Sequence, residues 1–280
     1  MPVPPLPDPD AFRRESPAHL VPLPRYFVAR YPVTVGQWRV FYLATAKDPQ
    51  LLTRPDGERM AALEPDSIEG PASAPVVDVS WYDALAYCAW LTTRLRDSET
   101  TPEPLRTLLG DGNATSDGRP WVVTLPSEAE WEQAARGQQD ARRYPWGPDR
   151  DANRANGDFV IRSVSAAGAF ADGASPWGAE ELSGNVWEWT RSLVPGGVES
   201  VESAYPCTPD YAGVGRESVL AGEDVPRVVR GGAFGSGSGG LRAACRGLTH
   251  PDNRFDIVGF RVVVSPFNAL DPLISDDSGL

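Results

Sequence analysis

Apolar positions along the first half of the chain recur at helical spacing, and each run follows a polar cap. Thr34 and Gln37 stand three apart in capping-box spacing, and Trp38, Phe41 and Tyr42 then fall on one face. Ser80 and Asp83 repeat the device ahead of Leu85, Cys88, Ala89, Leu91 and Leu95. Ser127 and Glu130 repeat it again before Trp131, and Gly137 sits where that helix should stop. Short apolar runs, Tyr26–Val28 and Val122–Leu125, read as strands. The stretches 46–74, 97–120 and 192–226 are polar and rich in turn formers. Beyond Gly137 no further helical pattern appears, and the chain continues as turns, Trp-Gly pairs and short strands. Helices first and strands afterwards predict an α+β fold. Nothing resembles a linker, so one domain is expected over 25–265, after a proline-rich leader, 1–24, and before a tail, 266–280.

Composition narrows the picture. Gly 27 and Pro 28 in 280 residues point to a loop-rich fold. Nine Trp supply large buried areas, and each buried indole needs an acceptor for its N–H. A net charge of −12 argues against a nucleic-acid partner. Cys88, Cys207 and Cys245 are odd in number and widely spaced, a poor disulfide framework. Two histidines, His19 and His250, cannot form a histidine-rich metal site. The first residues lack a signal-peptide pattern and no run of 18 apolar residues occurs, so a cytoplasmic protein without a membrane span is expected.

Seven segments, taken in order, carry a resemblance. They are Tyr31–Thr34, Pro75–Ala84, Leu125–Gly137 (LPSEAEWEQAARG), Tyr144–Gly147, Leu182–Thr190 (LSGNVWEWT), Arg230–Gly232 and Val258–Val262. Together they resemble the formylglycine-generating-enzyme (sulfatase-modifying factor) family over about residues 25 to 265. That resemblance implies an elaborated C-type-lectin-like fold. It also implies a copper-binding cysteine pair shortly after the Arg-Gly-Gly segment, at positions that here are Gly235 and Gly240. Glycine has no side chain to ligate copper, so no copper is expected and the chain reads as a non-enzyme. The iron-dependent relatives use a histidine set in an added helical domain, which two histidines cannot supply.

The chain also resembles the variable proteins of diversity-generating retroelements, family members whose C-terminal segment is rewritten at asparagine-type codons while the fold is kept. The implied scaffold here is Arg230–Gly232, Leu241–Ala244, Arg246, Pro251–Arg254 and Gly259–Val263. Between these lie the implied display positions of segment 231–263: Phe234, Gly235, Ser236, Gly237, Gly239, Gly240, Cys245, Gly247, Leu248, Thr249, His250, Phe255, Asp256 and Ile257. Rewriting of AAC codons cannot produce Lys, Glu, Gln, Met or Trp, and none of these occurs between Gly231 and Val263. The expected function is binding of a protein ligand through these side chains. The rivals are an oxygen-dependent modifying enzyme with an altered centre and a sensor or adaptor of fixed specificity.

Other readings stay open at this stage. The Gly/Ser run 235–240 could be a phosphate cradle, but it lacks the ending of a P-loop, and a plain flexible loop is the alternative to display. Asn185 and Glu188 offer oxygens beside a tight turn that suit a structural Ca²⁺, as relatives hold near this motif. Equally, they could hold the turn by hydrogen bonds to backbone. Arg230, Arg242, Arg246, Arg254 and Arg261 outnumber the nearby acids and are read mainly as scaffold, bonded to carboxylates and loop carbonyls.

Overall fold

The computed structural model describes residues 11, 12, 15, 21–137, 142–194 and 216–267. Cys207, His19 and most of the leader, of the 192–226 stretch and of the tail fall outside these residues. The fold is α+β with C-type-lectin-like architecture, as expected. Strand β1 (Phe27–Val28) is followed by helices α1 (Val35–Lys47), α2 (Trp81–Asp97) and α3 (Glu103–Leu108). Strand β2 (Trp121–Thr124) leads into α4 (Glu128–Arg136). Strands β3 (Trp187–Leu193), β4 (Arg227–Arg230), β5 (Arg246–Thr249), β6 (Val258–Gly259) and β7 (Val263–Pro266) complete the chain order.

All three capping boxes form as read. Gln37, Asp83 and Glu130 reach back to the amides of Thr34, Ser80 and Ser127, and each cap side chain accepts from the third helical amide. Gly137 stops α4 at φ 78. The face of α2 differs from expectation. Ala89 is exposed, and Tyr87 takes the core position beside Ala84 and Cys88. An aromatic cluster explains this: Tyr87 lies 5.6 Å from Trp38, 5.5 Å from Phe41 and 5.4 Å from Phe260, ring centre to ring centre. Helix α3 lies in the stretch 97–120 that reads as loop; Pro102 and Glu103 at its start are the local signal.

Two small sheets share the core. One is antiparallel in the order β1-β7-β2, so the chain's late strand lies between two early ones. The other runs β5-β4-β3-β6, with β3 and β6 parallel. Segment 29–33 follows residues 260–262 between them, with Ala29 donating to Val262 and Val33 to Phe260. The four fully buried indoles all find acceptors. Trp38 donates to Ser67 Oγ, Trp81 to the Thr190 carbonyl, Trp189 to the Val79 carbonyl and Trp131 to Glu188. Among the described residues no helix is long and apolar enough to cross a membrane.

The first turn of α4 joins the sheets. Glu130 receives Ser265 Oγ of β7 at 2.5 Å and Arg191 of β3 at 2.8 Å. Glu128 is buried against Arg246 of β5, with Nη2 to Oε2 at 2.6 Å, and its amide takes a hydrogen bond to Ser192 Oγ. Burial alone would raise the Glu128 carboxyl; the Arg246, Arg230 and Arg216 charges outweigh it and hold it below its ordinary value. The unfolded chain therefore takes up this proton first. The stabilisation is present in full above the ordinary carboxylate range and is lost as pH falls below 4.5. Glu128→Gln should lower stability by about 3–5 kcal/mol in urea denaturation, because it leaves buried arginine without its counter-charge. It should also flatten the acid limb of the stability curve. Gly259 sets a second limit, since a Cβ there would lie 2.2 Å from the Val76 carbonyl oxygen. Gly259→Ala must move backbone, and we expect a loss above about 2 kcal/mol in the same assay.

Candidate functional site

Segment 231–263 starts at the end of β4, where Gly231 (φ 96) and Gly232 (φ 76) turn the chain sharply. A Cβ on Gly232 would lie 2.6 Å from the Gly240 carbonyl oxygen, so the two ends of the next loop touch. Within the loop, Ser236 donates to the Ala233 carbonyl, Ala233 donates to Ser236 Oγ, and Gly240 donates to the Gly237 carbonyl. These bonds make the Gly/Ser run a folded double turn. Phe234 donates from its amide to the Asn185 carbonyl, which ties the loop to the start of β3.

A second loop lies alongside. Asp158 and Phe159 donate to the Ser236 and Phe234 carbonyls, each at 2.9 Å. Phe159 meets Phe234 edge to face, 6.5 Å between centres. Asp158, Phe159 and Arg162 are held at φ 54, 57 and 63, a region that costs a side chain-bearing residue about 1 kcal/mol or more each. Here that strain presents Phe159, Val160 and Ile161 at 58%, 74% and 44% exposure. Sequence reasoning missed these three residues. The available signal was a run of three large apolar residues between Asp158 and Arg162 in a turn-rich stretch.

The predicted display positions divide. Phe234, Gly235, Ser236, Gly237, Gly239 and Gly240 lie on the folded loop, exposed or half-buried. Phe255 and Asp256 are exposed on a separate turn, where the Phe255 carbonyl receives the Asp78 amide. His250 is half-buried, its Nδ1 3.2 Å from the Glu223 carbonyl. Others belong to the scaffold. Cys245 is buried, and its carbonyl accepts from Arg230. Gly247, Leu248 and Thr249 form β5 opposite β4. A Cβ at Gly247 would lie 2.8 Å from Val229 Cγ2 and 3.3 Å from Trp187, so no side chain can be shown there without displacing core. Ile257 packs on the main core. Cys245, Gly247 and Ile257 are thus corrected from display positions to packing positions. The cause is that β5 and the approach to β6, although at the two edges of their sheet, turn these positions inward onto Val229, Trp187 and the main core.

The residues present do not fit the copper of the family's enzymes. Gly235 and Gly240 carry no sulfur, and the space a side chain at 235 would need is filled by the Phe159 ring, 2.7 Å from an ideal Cβ. Among the described residues no group of three His, Cys, Asp or Glu is gathered to hold a metal.

Asn185 and Glu188 part company. Glu188 is fully buried and accepts from Arg261 Nε (2.6 Å), Arg261 Nη2 (2.7 Å) and Trp131 Nε1 (2.6 Å). Its charge is already balanced, so the reading of Glu188 as a calcium ligand is corrected to a structural ion pair. Asn185, at φ 66, faces a different group. Its Oδ1 accepts from the Ser165 amide and Asn156 Nδ2, and its Nδ2 donates to Glu181 Oε2 and the Ser165 carbonyl. Asn156 Oδ1 is buried without a hydrogen-bond partner. Burial pushes the Glu181 carboxyl up. Asn185 thus links a residue with an orphaned amide oxygen to a largely buried carboxylate, and amide, carboxylate and carbonyl oxygens are the donors calcium takes.

The arginines behave as scaffold. Arg230 donates to the carbonyls of Ala243, Ala244 and Cys245 and to Glu132. Arg261 donates to the carbonyls of Ala29 and Glu180 besides Glu188. Arg254 pairs with Asp83, the capping acid of α2.

Comparison with known proteins adds to this geometry. A family model, the sulfatase-modifying factor enzyme 1-like domain, matches residues 7–266. The hercynine oxygenase of Mycolicibacterium smegmatis is 30% identical over 284 residues, 92% of this chain and 57% of that protein. The formylglycine-generating enzyme of Thermomonospora curvata is 30% identical over 309 residues, 92% of this chain and 89% of that protein. The chain spans little more than half the length of the hercynine oxygenases it matches. Among solved structures, PvdO from Pseudomonas aeruginosa superposes with a TM-score of 0.63 at 24% identity, over 93% of this chain and 88% of that one. Treponema denticola variable protein 1 gives 0.54 at 22%, over 89% and 87%. These two likenesses concern the fold. The expectation that the chain is not an enzyme is overturned, because the named relatives at 30% identity over most of its length are enzymes. The family model covers nearly the whole of the described domain and the Thermomonospora curvata enzyme is matched over most of both chains, so the chain belongs to the sulfatase-modifying factor (formylglycine-generating enzyme) family.

Proposed function

We propose that this protein binds a protein ligand through segment 231–263, as the variable proteins of diversity-generating retroelements do, on the scaffold it shares with them. The observation that carries the reading is the pair of interlocked loops, 157–162 and 233–240. They place Phe159, Val160 and Ile161 at the surface, beside the half-buried Phe234, at a cost in backbone strain at Asp158, Phe159 and Arg162. Strained, exposed, apolar and rigidly bonded is the physical description of a preorganised recognition tip. The turn that carries Phe255 and Asp256 adds a second exposed patch of the same segment.

Residues 234–240 should accept simultaneous replacement. Gly235 shows why: the atom a Cβ would meet belongs to Phe159, an exposed ring able to swing away. A library randomised at 234–240 should keep melting temperatures within about 5 °C of the parent in most clones, and selection on an immobilised protein should enrich binders. Loss of the fold in most clones would mean that the loop is core and would end this reading. A second reading, catalysis of the kind named for its relatives, is favoured by their sequence similarity. Stoichiometric tight copper binding with thiol-dependent oxygen consumption would put that reading in place of the first.

We also propose that Asn156, Glu181 and Asn185 hold a structural calcium ion, with carbonyls of the 163–165 turn. At a dissociation constant of ~10⁻⁴ M, ~10 mM calcium adds about 2.7 kcal/mol, or roughly 5–10 °C in melting temperature. Glu181→Gln should abolish that increment while leaving the chelator-treated protein no less stable, because the carboxylate it removes is poorly solvated. An unchanged melting temperature with calcium would sink the proposal.

A further inference from the structure

We infer that Arg242 is a recognition site for acidic peptide segments, occupied in this structure by the protein's own leader. Arg242 lies two residues beyond the 233–240 loop and is fully buried. Its fork holds a single carboxylate in bidentate fashion, with Nη1 2.5 Å from Glu15 Oε2 and Nη2 2.8 Å from Glu15 Oε1. Glu15 comes from the leader, 227 residues away in sequence, and its side chain is as buried as its partner's. The Glu15 amide donates to the Phe12 carbonyl in a one-turn bend. That bend lays the Phe12 ring over the Arg242 guanidinium, 5.4 Å from centre to carbon, and against Gly239. The leader thus engages the domain as an aromatic residue followed three positions later by a carboxylate.

This contact differs from the other buried ion pairs. Glu128, Glu130 and Glu188 sit on regular elements inside the domain, whereas Glu15 belongs to the proline-rich leader. Bidentate Arg–carboxylate geometry gives specificity independent of what carries the carboxylate. A tethered segment acts at an effective concentration of order millimolar. An external peptide with the same aromatic-x-x-acid pattern can therefore replace it once its own contacts extend onto the neighbouring loop. The inference rests on the reading of 233–240 as a ligand-facing loop, and it names the chemistry such a ligand would bring.

The test uses the full-length protein and a fluorescent peptide spanning residues 8–17. By anisotropy, Glu15→Ala protein should bind this peptide at least tenfold more tightly than the parent protein, whose site is filled in cis. A peptide with Gln at the Glu15 position should bind at least tenfold more weakly than the native peptide. Equal binding by parent and Glu15→Ala protein, or by the two peptides, overturns the inference. A second measurement does not depend on the variant folding. Trypsin cleavage of the parent chain after Arg13 or Arg14 should accelerate at least fivefold in excess unlabelled peptide, with Gln-substituted peptide as control; no acceleration overturns the inference. Neither measurement depends on the loop library, so failure of display at 234–240 and failure of the Arg242 site are distinguishable.

Discussion

The buried pairing of Glu128 with Arg246, and of its neighbours Glu130 with Arg191 and Glu188 with Arg261, is the constraint on which this fold rests. The strands are short and the connections long, so many backbone carbonyls find their donors outside a strand ladder. A buried carbonyl without a donor is costly. Arginine answers this need better than any other residue, since its planar fork carries five donors. Arg230 shows the pattern: it satisfies three consecutive carbonyls of the 243–245 turn and closes on Glu132 of α4. The carboxylates in turn make burial of the guanidinium charge tolerable. Arg227 shows what happens without one. Stacked on Trp81 and capped by the Ser218 and Ala221 carbonyls, it is pushed down to about 10 by burial.

That interior has a consequence for the surface. The 243–246 turn, β5 and the Gly259–Arg261 segment are bonded inward, which fixes the scaffold beyond the loop between Gly232 and Leu241. Solved structures such as PvdO share the overall fold, and the sequence relatives at 30% identity are enzymes, which corrects the reading of the chain as a non-enzyme. In this chain glycines stand where cysteines are implied for the copper enzymes, and Phe159 occupies the neighbouring space. The same few residues therefore separate a thiol centre from an aromatic tip.

Two polar groups flank that loop. The Asn156–Glu181–Asn185 group lies under it, since the Asn185 carbonyl receives the Phe234 amide and the Asn156 carbonyl receives the Asn185 amide. Arg242 lies at its far end with Glu15. Short hydrogen-bonded paths thus join the tip to the Asn156–Glu181–Asn185 group.

Much of this was legible in the sequence, where the physics is local. Capping boxes at Thr34, Ser80 and Ser127 declare themselves because helix geometry brings the third residue back to the cap whatever surrounds it. The ordered motifs from Tyr31 to Val262 sufficed for the family and its fold. The indole requirement for acceptors was also general, though the sequence could not say that Trp131 would find Glu188. The face of α2 was misread at Ala89, because periodicity alone cannot weigh an aromatic cluster assembled from α1 and residue 260. Display and packing positions within 245–257 could not be told apart, because alternation has no meaning until the neighbours of β5 are known. Glu188 and Asn185, three residues apart, were joined in one proposed site; Arg261, 73 residues from Glu188, separated them. Phe159 beside Gly235 and Glu15 on Arg242 are likewise encounters between distant segments. Local sequence determines which elements form, and only the close packing of remote segments decides which charge is neutralised and which side chain is left facing water.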